Sequence, residues 1–260
     1  VYSMADIDGI DGDPASSGAI TDQTAAGGLA GHYALARNQD ASGVIYTNAL
    51  VGSNYDYDSP FSGTFEGLGH TLSNLTITAP DANNTGLFGD NQGATVRDLG
   101  VVNGAISGGS YVGGIVSMNQ SSSSVLNSYF SGTVSTSSSG IMVGGIAGFN
   151  GNNSTIANSY SMGTVTGTRW TGGITGYNGS ALVTNSHSSS NVNGGNGDYV
   201  GGVVGANESA TITNSYSTGN VSGNTRVGGV AGNSYRGSIS DSYNTGNISG
   251  NSFVGGVVGL

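Results

Sequence analysis

From Val125 onward the chain repeats one pattern of apolar and polar positions. The segments "VLNSYFSGTVS", "IANSYSMGTVT", "VTNSHSSSNVN", "ITNSYSTGNVS" and "ISDSYNTGNIS" begin at residues 125, 156, 183, 212 and 239, and each sets a second aliphatic residue nine positions after its first. Alternation within "ITNSYSTGNVS" predicts a strand with Ile212, Asn214 and Tyr216 on one side, then a glycine turn that returns Val221 to that side. Between these segments stand "TGLFG" at residue 85, "VGGIVS" at 112, "VGGIAG" at 143, "TGGITG" at 171, "VGGVVG" at 200, "VGGVAG" at 227 and "VGGVVG" at 254, a period of 27 to 31 residues. Length changes fall outside both signatures, so the signatures predict strands and the gaps predict loops.

Helix is disfavoured throughout the repeats, because glycine, serine, asparagine and β-branched residues dominate and no 3.6-residue apolar stripe occurs. A coil of this length cannot bury its apolar face alone, but stacking coils about 4.8 Å apart lines identical residues into ladders. The expected fold is therefore all-β, a right-handed parallel β-helix (β-solenoid). Its inward files are Val125, Ile156, Val183, Ile212, Ile239 and Val134, Val165, Val192, Val221, Ile248. A polar inward file is expected at Asn127, Asn158, Asn185, Asn214 and Asp241, and a second amide file at Asn91, Asn119, Asn150, Asn178 and Asn207. Residues 1–80 read as an acidic N-terminal cap and first coils, and residues 81–260 as the repeats of one continuous domain. The chain starts without Met and stops within a repeat, so it reads as a piece of something longer.

Composition sharpens this picture. Forty-nine of 260 residues are glycine, only 8% are charged and none is lysine or cysteine. The formal charge of −10 sits at one end, where residues 1–90 hold ten aspartates and Glu66 against Arg37; residues 91–260 balance four carboxylates with four arginines. No basic stripe exists for nucleic acid or an acidic membrane surface, and no apolar run reaches the roughly 18 residues of a membrane helix. Without cysteine there is neither a disulfide nor a thiolate metal ligand.

The segments "GLFG", "VGGIAG", "VGGVVG" and "NSYSTGNVSG" resemble the GLUG-motif repeats of bacterial surface proteins. Upstream, "HYALARNQDASG" and "FSGTFEGLGHTLSNLTI" resemble the segment that precedes such repeats in filamentous-haemagglutinin-type adhesins exported by two-partner secretion. The resemblance covers residues 32–260. It implies a secreted or cell-surface adhesin segment, non-catalytic, acting as a stalk or binding module for host or bacterial surfaces, glycans or matrix. GLUG repeats also resemble segments beside a metallopeptidase that cuts immunoglobulin A, but no "HExxH" occurs here.

Several residues are candidates for chemistry. "DIDGIDGD" offers Asp6, Asp8, Asp11 and Asp13 as oxygen ligands of a calcium loop, without a closing bidentate glutamate; the alternative is a solvated acidic cap. "NYDYDS", with Asp56 and Asp58, is a weaker version of the same signal. The residue before each glycine-pair motif is Tyr111, Met142, Trp170, Tyr199, Arg226 or Phe253, an outward stripe that either stacks on sugar rings or covers the coil corner. Thr133, Thr164, Asn191, Asn220 and Asn247, with Ser135, Thr166, Asn193, Ser222 and Ser249 beside them, form two parallel polar files on a flat face. Their layout resembles the Thr-x-Thr arrays of ice-binding solenoids, and its ordinary reading is a sheet face kept soluble without charge. A carbohydrate-active enzyme is the third reading, but it needs paired carboxylates facing one bond; only four carboxylates lie in the repeats, and His32, His70 and His187 fall at unrelated phases. An open last coil also makes end-to-end self-association an expectation.

Overall fold

A computed structural model describes residues 1–11, 28–52, 59–137 and 140–260. The described chain is a parallel β-solenoid of about seven turns, and every pairing between its strands is parallel and joins one coil to the next. One wall is an eight-stranded sheet running from His32–Ala34 through Thr64–Glu66, Thr95–Arg97 and Ser124–Leu126 to Ser238–Ser240. A second wall has six strands, from Phe88–Gln92 to Ala231–Tyr235. The third wall carries the "SYSTGNVS"-type segments, with Tyr129–Thr136 in register with Tyr160–Thr166 on one side and paired with Gly100–Gly113 on the other, where the register shifts between Phe130 and Gly132. Its centre is packed with Val125, Ile156, Val183 and Ile212 from the first wall and Val134 and Val165 from the third, all at most 1% exposed. Toward the N-terminus the core widens to aromatic packing of Phe61, Phe65 and Phe88, with ring centroids 5.3 Å apart in both contacts with Phe88.

The glycine pairs are corners where backbone meets backbone. A Cβ on Gly144 would stand 2.1 Å from the Ala147 carbonyl oxygen of its own coil, and one on Gly145 would stand 2.3 Å from the Gly173 carbonyl oxygen of the next. No side chain fits at either place, which is why the pair recurs.

One expectation fails. Asn127, Asn158, Asn185, Asn214 and Asp241 are exposed, not inward. Each, with Asp98 before them, is a left-handed corner residue with φ of 48° to 55°, a conformation Asn and Asp tolerate better than other side chains. One left-handed residue resets the alternation, so the following serine turns inward instead. Ser128, Ser159, Ser186 and Ser215 are fully buried; the hydroxyl oxygens of the last three each accept the next-lower serine's N–H, as in Ser159 Oγ from Ser128 N at 3.2 Å, and that of Ser128 accepts the Leu99 N–H. The first of the displaced residues still form a short ladder on the outside, with Asn158 Nδ2 donating to Asn127 Oδ1 at 3.1 Å and Asn127 Nδ2 to Asp98 Oδ1 at 3.0 Å. The other amide file does lie inside: Asn119, Asn150 and Asn178 are 0% exposed and each Nδ2 donates to the next Oδ1, reaching Asn207, at 2.8 to 2.9 Å.

Candidate functional site

The same reset of phase turns the tyrosine file outward. Tyr129, Tyr160, His187, Tyr216 and Tyr243 stand one above another on the outer side of the third wall, with centroids 4.8, 5.0, 4.9 and 5.0 Å apart and planes within 10° of parallel. Stacking of this kind adds about 0.5 to 1.5 kcal/mol per pair beyond burial. The first four rings are half-buried and Tyr243 is exposed. Burial lowers the pKa of His187 and raises that of Tyr160, so both rings stay neutral near pH 7. Simple alternation had these rings facing the core; the recurrence of Asn two places earlier was the signal for an intervening left-handed corner.

Four residues further along the same strands, on the same outer side, run the polar files. Thr133, Thr164 and Asn191 are exposed and in register, with Asn220 and Asn247 exposed above them. The amide oxygens of Asn191 and Asn220 accept the backbone N–H of Asn220 and Asn247, both at 3.2 Å, so they serve the coil-to-coil ladder. Thr166, paired with Ser135 and Asn193, is half-buried. The third wall therefore presents an aromatic rail beside a rail of hydroxyl and amide groups, each repeating at the coil spacing.

The corner stripe lies elsewhere. Tyr111, Met142, Trp170, Tyr199, Arg226 and Phe253 all hold left-handed backbone with φ between 50° and 63°, strained for such bulky side chains by about 1 to 2 kcal/mol each. Arg169 lies with its guanidinium 4.0 Å from the Trp170 centroid, and Arg226 lies 4.8 Å from that of Tyr199. Those ring faces are already covered by arginine. Phe253 is 54% exposed, while Tyr111 is half-buried with its carbonyl accepting the Ser117 hydroxyl.

Two of the cap's aspartates serve the fold. Asp6 sits in the first turn of a short helix, Met4–Asp8, where its carboxylate accepts the backbone N–H of Tyr2 and Ser3 and the Ser3 hydroxyl caps Asp6 N. Asp8 is buried, and burial together with its charge pushes the Tyr46 hydroxyl up to about 12. Asp11 is half-buried, and Asp13, Asp56 and Asp58 lie outside the described residues. Among the described residues no group of three or more His, Asp or Glu is placed to hold a metal ion.

The GLUG motif matches three stretches, residues 139–166, 196–222 and 223–249. Each match is about one coil long and takes in strands of all three walls. Over 140 residues the chain is 33% identical to Halomucin of Haloquadratum walsbyi, a match that covers 52% of this chain and 1% of that protein. Two solved structures share the fold. A candidate immunoglobulin A1 protease from Bacteroides ovatus superposes with a TM-score of 0.59 at 23% identity, over 87% of this chain and 64% of that one. A second IgA1 protease gives 0.56 at 17% identity, over 93% of this chain and 21% of that one. At these identities the structural likeness speaks to fold alone.

Proposed function

We propose that this chain is a non-catalytic segment of a secreted or surface-displayed protein, a rigid rail that holds a glycan-bearing surface through the outer face of its third wall. The observation that carries this reading is the five-ring ladder of Tyr129, Tyr160, His187, Tyr216 and Tyr243 beside the Thr133 to Asn247 polar file. Ring edges along the stack suit contact with the C–H groups of sugars, and hydroxyl and amide groups suit their rims. Repetition at about 4.8 Å gives many weak contacts in one line, which multiply when engaged together. The GLUG match, the stretch shared with Halomucin and the resemblance to filamentous-haemagglutinin-type adhesins all support an extracellular setting and an adhesive role. The ice-binding reading draws less support, since the oxygens of Asn191 and Asn220 already accept backbone hydrogen bonds. No carboxylate belongs to the ladder or the polar file beside it, so the face offers no acid and base pair for glycoside cleavage.

The test is retention of the chain on beads coated with a panel of polysaccharides and glycoproteins. Wild type is retained on at least one coating, and Tyr160→Ser with Tyr216→Ser lowers retention by tenfold or more at unchanged circular dichroism. Equal retention of the double variant, or release of soluble sugar from any coating, contradicts the proposal.

A further inference from the structure

The repeats act as their own control, and three departures from the pattern meet at one place. The ladder position below Tyr129 is Gly100, in register with it and without a ring. The corner position below Asn127 is Asp98 in place of asparagine. One coil lower, the partners Glu66–Arg97 and Thr71–Gly100 leave residues 67–70 opposite residues 98–99, so the corner is longer there. That longer corner lifts Leu68 into left-handed backbone, φ 53°, with 57% of its surface exposed. A strained leucine that buries little is an outlier that packing does not explain.

Leu68, Asp98, Gly100, Asn127 and Tyr129 line a single cavity of about 360 Å³, with backbone at Gly69 and Leu99 completing it. The ring of Tyr129 reaches over Gly100: a Cβ there would lie 2.5 Å from its Cζ. The last ring of the stack thus lines the cavity beside Gly100, and its hydroxyl makes no hydrogen bond among the described residues. On the rim, Asp98 accepts Asn127 Nδ2 at 3.0 Å and Arg97 Nε at 2.8 Å. The Asn127 bond holds its carboxyl below the usual range, opposed by burial and helped by the Arg97 bond and charge. Each oxygen keeps a lone pair, and Arg97 is shared between Asp98 at 2.8 Å and Glu66 at 3.7 Å.

We propose that this cavity is a subsite for one uncharged pyranose ring, stacked on Tyr129 and Leu68 with a hydroxyl donated to Asp98. It rests on the reading of the third wall as a glycan-binding face and names where a chain end or branch is held. The cavity's size falls at the lower end of the roughly 300 to 1,000 Å³ typical of ligand sites. An apolar wall with an acceptor rim calls for a saturated ring bearing hydroxyls.

The experiment is ligand-observed saturation-transfer NMR of the whole chain against a panel of methyl hexopyranosides, with indole as the flat aromatic probe. At least one glycoside saturates with a dissociation constant near the millimolar range typical of so small a ligand, about 1 mM. Asp98→Asn weakens it about tenfold, Tyr129→Ser abolishes it, and Tyr235→Ser, remote from the cavity, leaves it unchanged. Melting curves confirm that the variants fold. The subsite is overturned if no glycoside saturates, if indole competes equally, or if both cavity variants bind like wild type. Retention on coated beads without glycoside saturation overturns the subsite and leaves the rail; glycoside binding at Tyr129 without retention does the reverse.

Discussion

Replacing Asn150 by alanine tests the inner amide ladder most sharply, because Asn158 eight residues later offers the same chemistry on the outside of the same coil. Asn150 is fully buried; its Nδ2 donates to Asn178 Oδ1 at 2.8 Å and to the Leu182 carbonyl at 3.2 Å, and its Oδ1 accepts Asn119 Nδ2 at 2.8 Å. Truncation strands two acceptors out of reach of water and leaves Asn119 with only long contacts, to the Ser123 and Thr155 carbonyls at 3.4 Å. At about 1 to 3 kcal/mol for each of these three buried polar groups, the loss is about 3 to 9 kcal/mol. Asn158 is exposed, so water replaces its 3.1 Å bond to Asn127, and Asn158→Ala costs about 1 kcal/mol, chiefly for alanine in a left-handed corner. Urea unfolding followed by circular dichroism separates the two. With an m-value of about 3 kcal/mol per molar, the midpoint falls by about 1 M or more for Asn150→Ala and by about 0.3 M for Asn158→Ala. Equal shifts, or a larger one for Asn158→Ala, would refute the division into an inner and an outer ladder.

Three further outcomes follow from the geometry. Gly145→Ala drives a Cβ to within 2.3 Å of the Gly173 carbonyl and costs at least about 2 kcal/mol in the same assay, whereas Gly256→Ala, with no atom within 4 Å, leaves the midpoint where it was. The folded-state pKa of His187 is depressed below its ordinary 6.5 by burial, so the unfolded chain binds the extra proton first; stability is complete above pH 6.5 and declines as pH falls below it, and His187→Tyr removes that decline in melts between pH 7 and 5. Melting curves in calcium and in chelator superimpose, since the Asp6 carboxylate is committed to the helix start; a calcium-dependent rise would support the metal reading of Asp6, Asp8, Asp11 and Asp13.

The solenoid was legible because its signals are additive: valine and isoleucine files, glycine pairs and a near-constant period all point to stacked coils. The facing of the tyrosines was not, because alternation holds only while the backbone stays extended. A single left-handed residue such as Asn214 inverts it, and the inversion moves Tyr216 from core to surface and Ser215 from surface to core. Asparagine's tolerance of that conformation was the available clue. The cavity beside Tyr129 was illegible for a different reason. It is built from departures, Gly100, Asp98 and the longer corner at Leu68, whose meeting depends on register between coils and not on any local motif. The corner stripe was visible as a file, but the arginines laid over Trp170 and Tyr199 follow from side-chain packing that no spacing encodes.

Hydroxyl-radical footprinting of the chain while it is held on its best coated bead tests the rail most directly. The account predicts protection of Tyr129, Tyr160, Tyr216 and Tyr243, with Trp170, Tyr199 and Tyr235 modified as in free solution. Protection confined to Trp170 and Tyr199, with the ladder unchanged, would contradict it and place the working surface on the corner stripe.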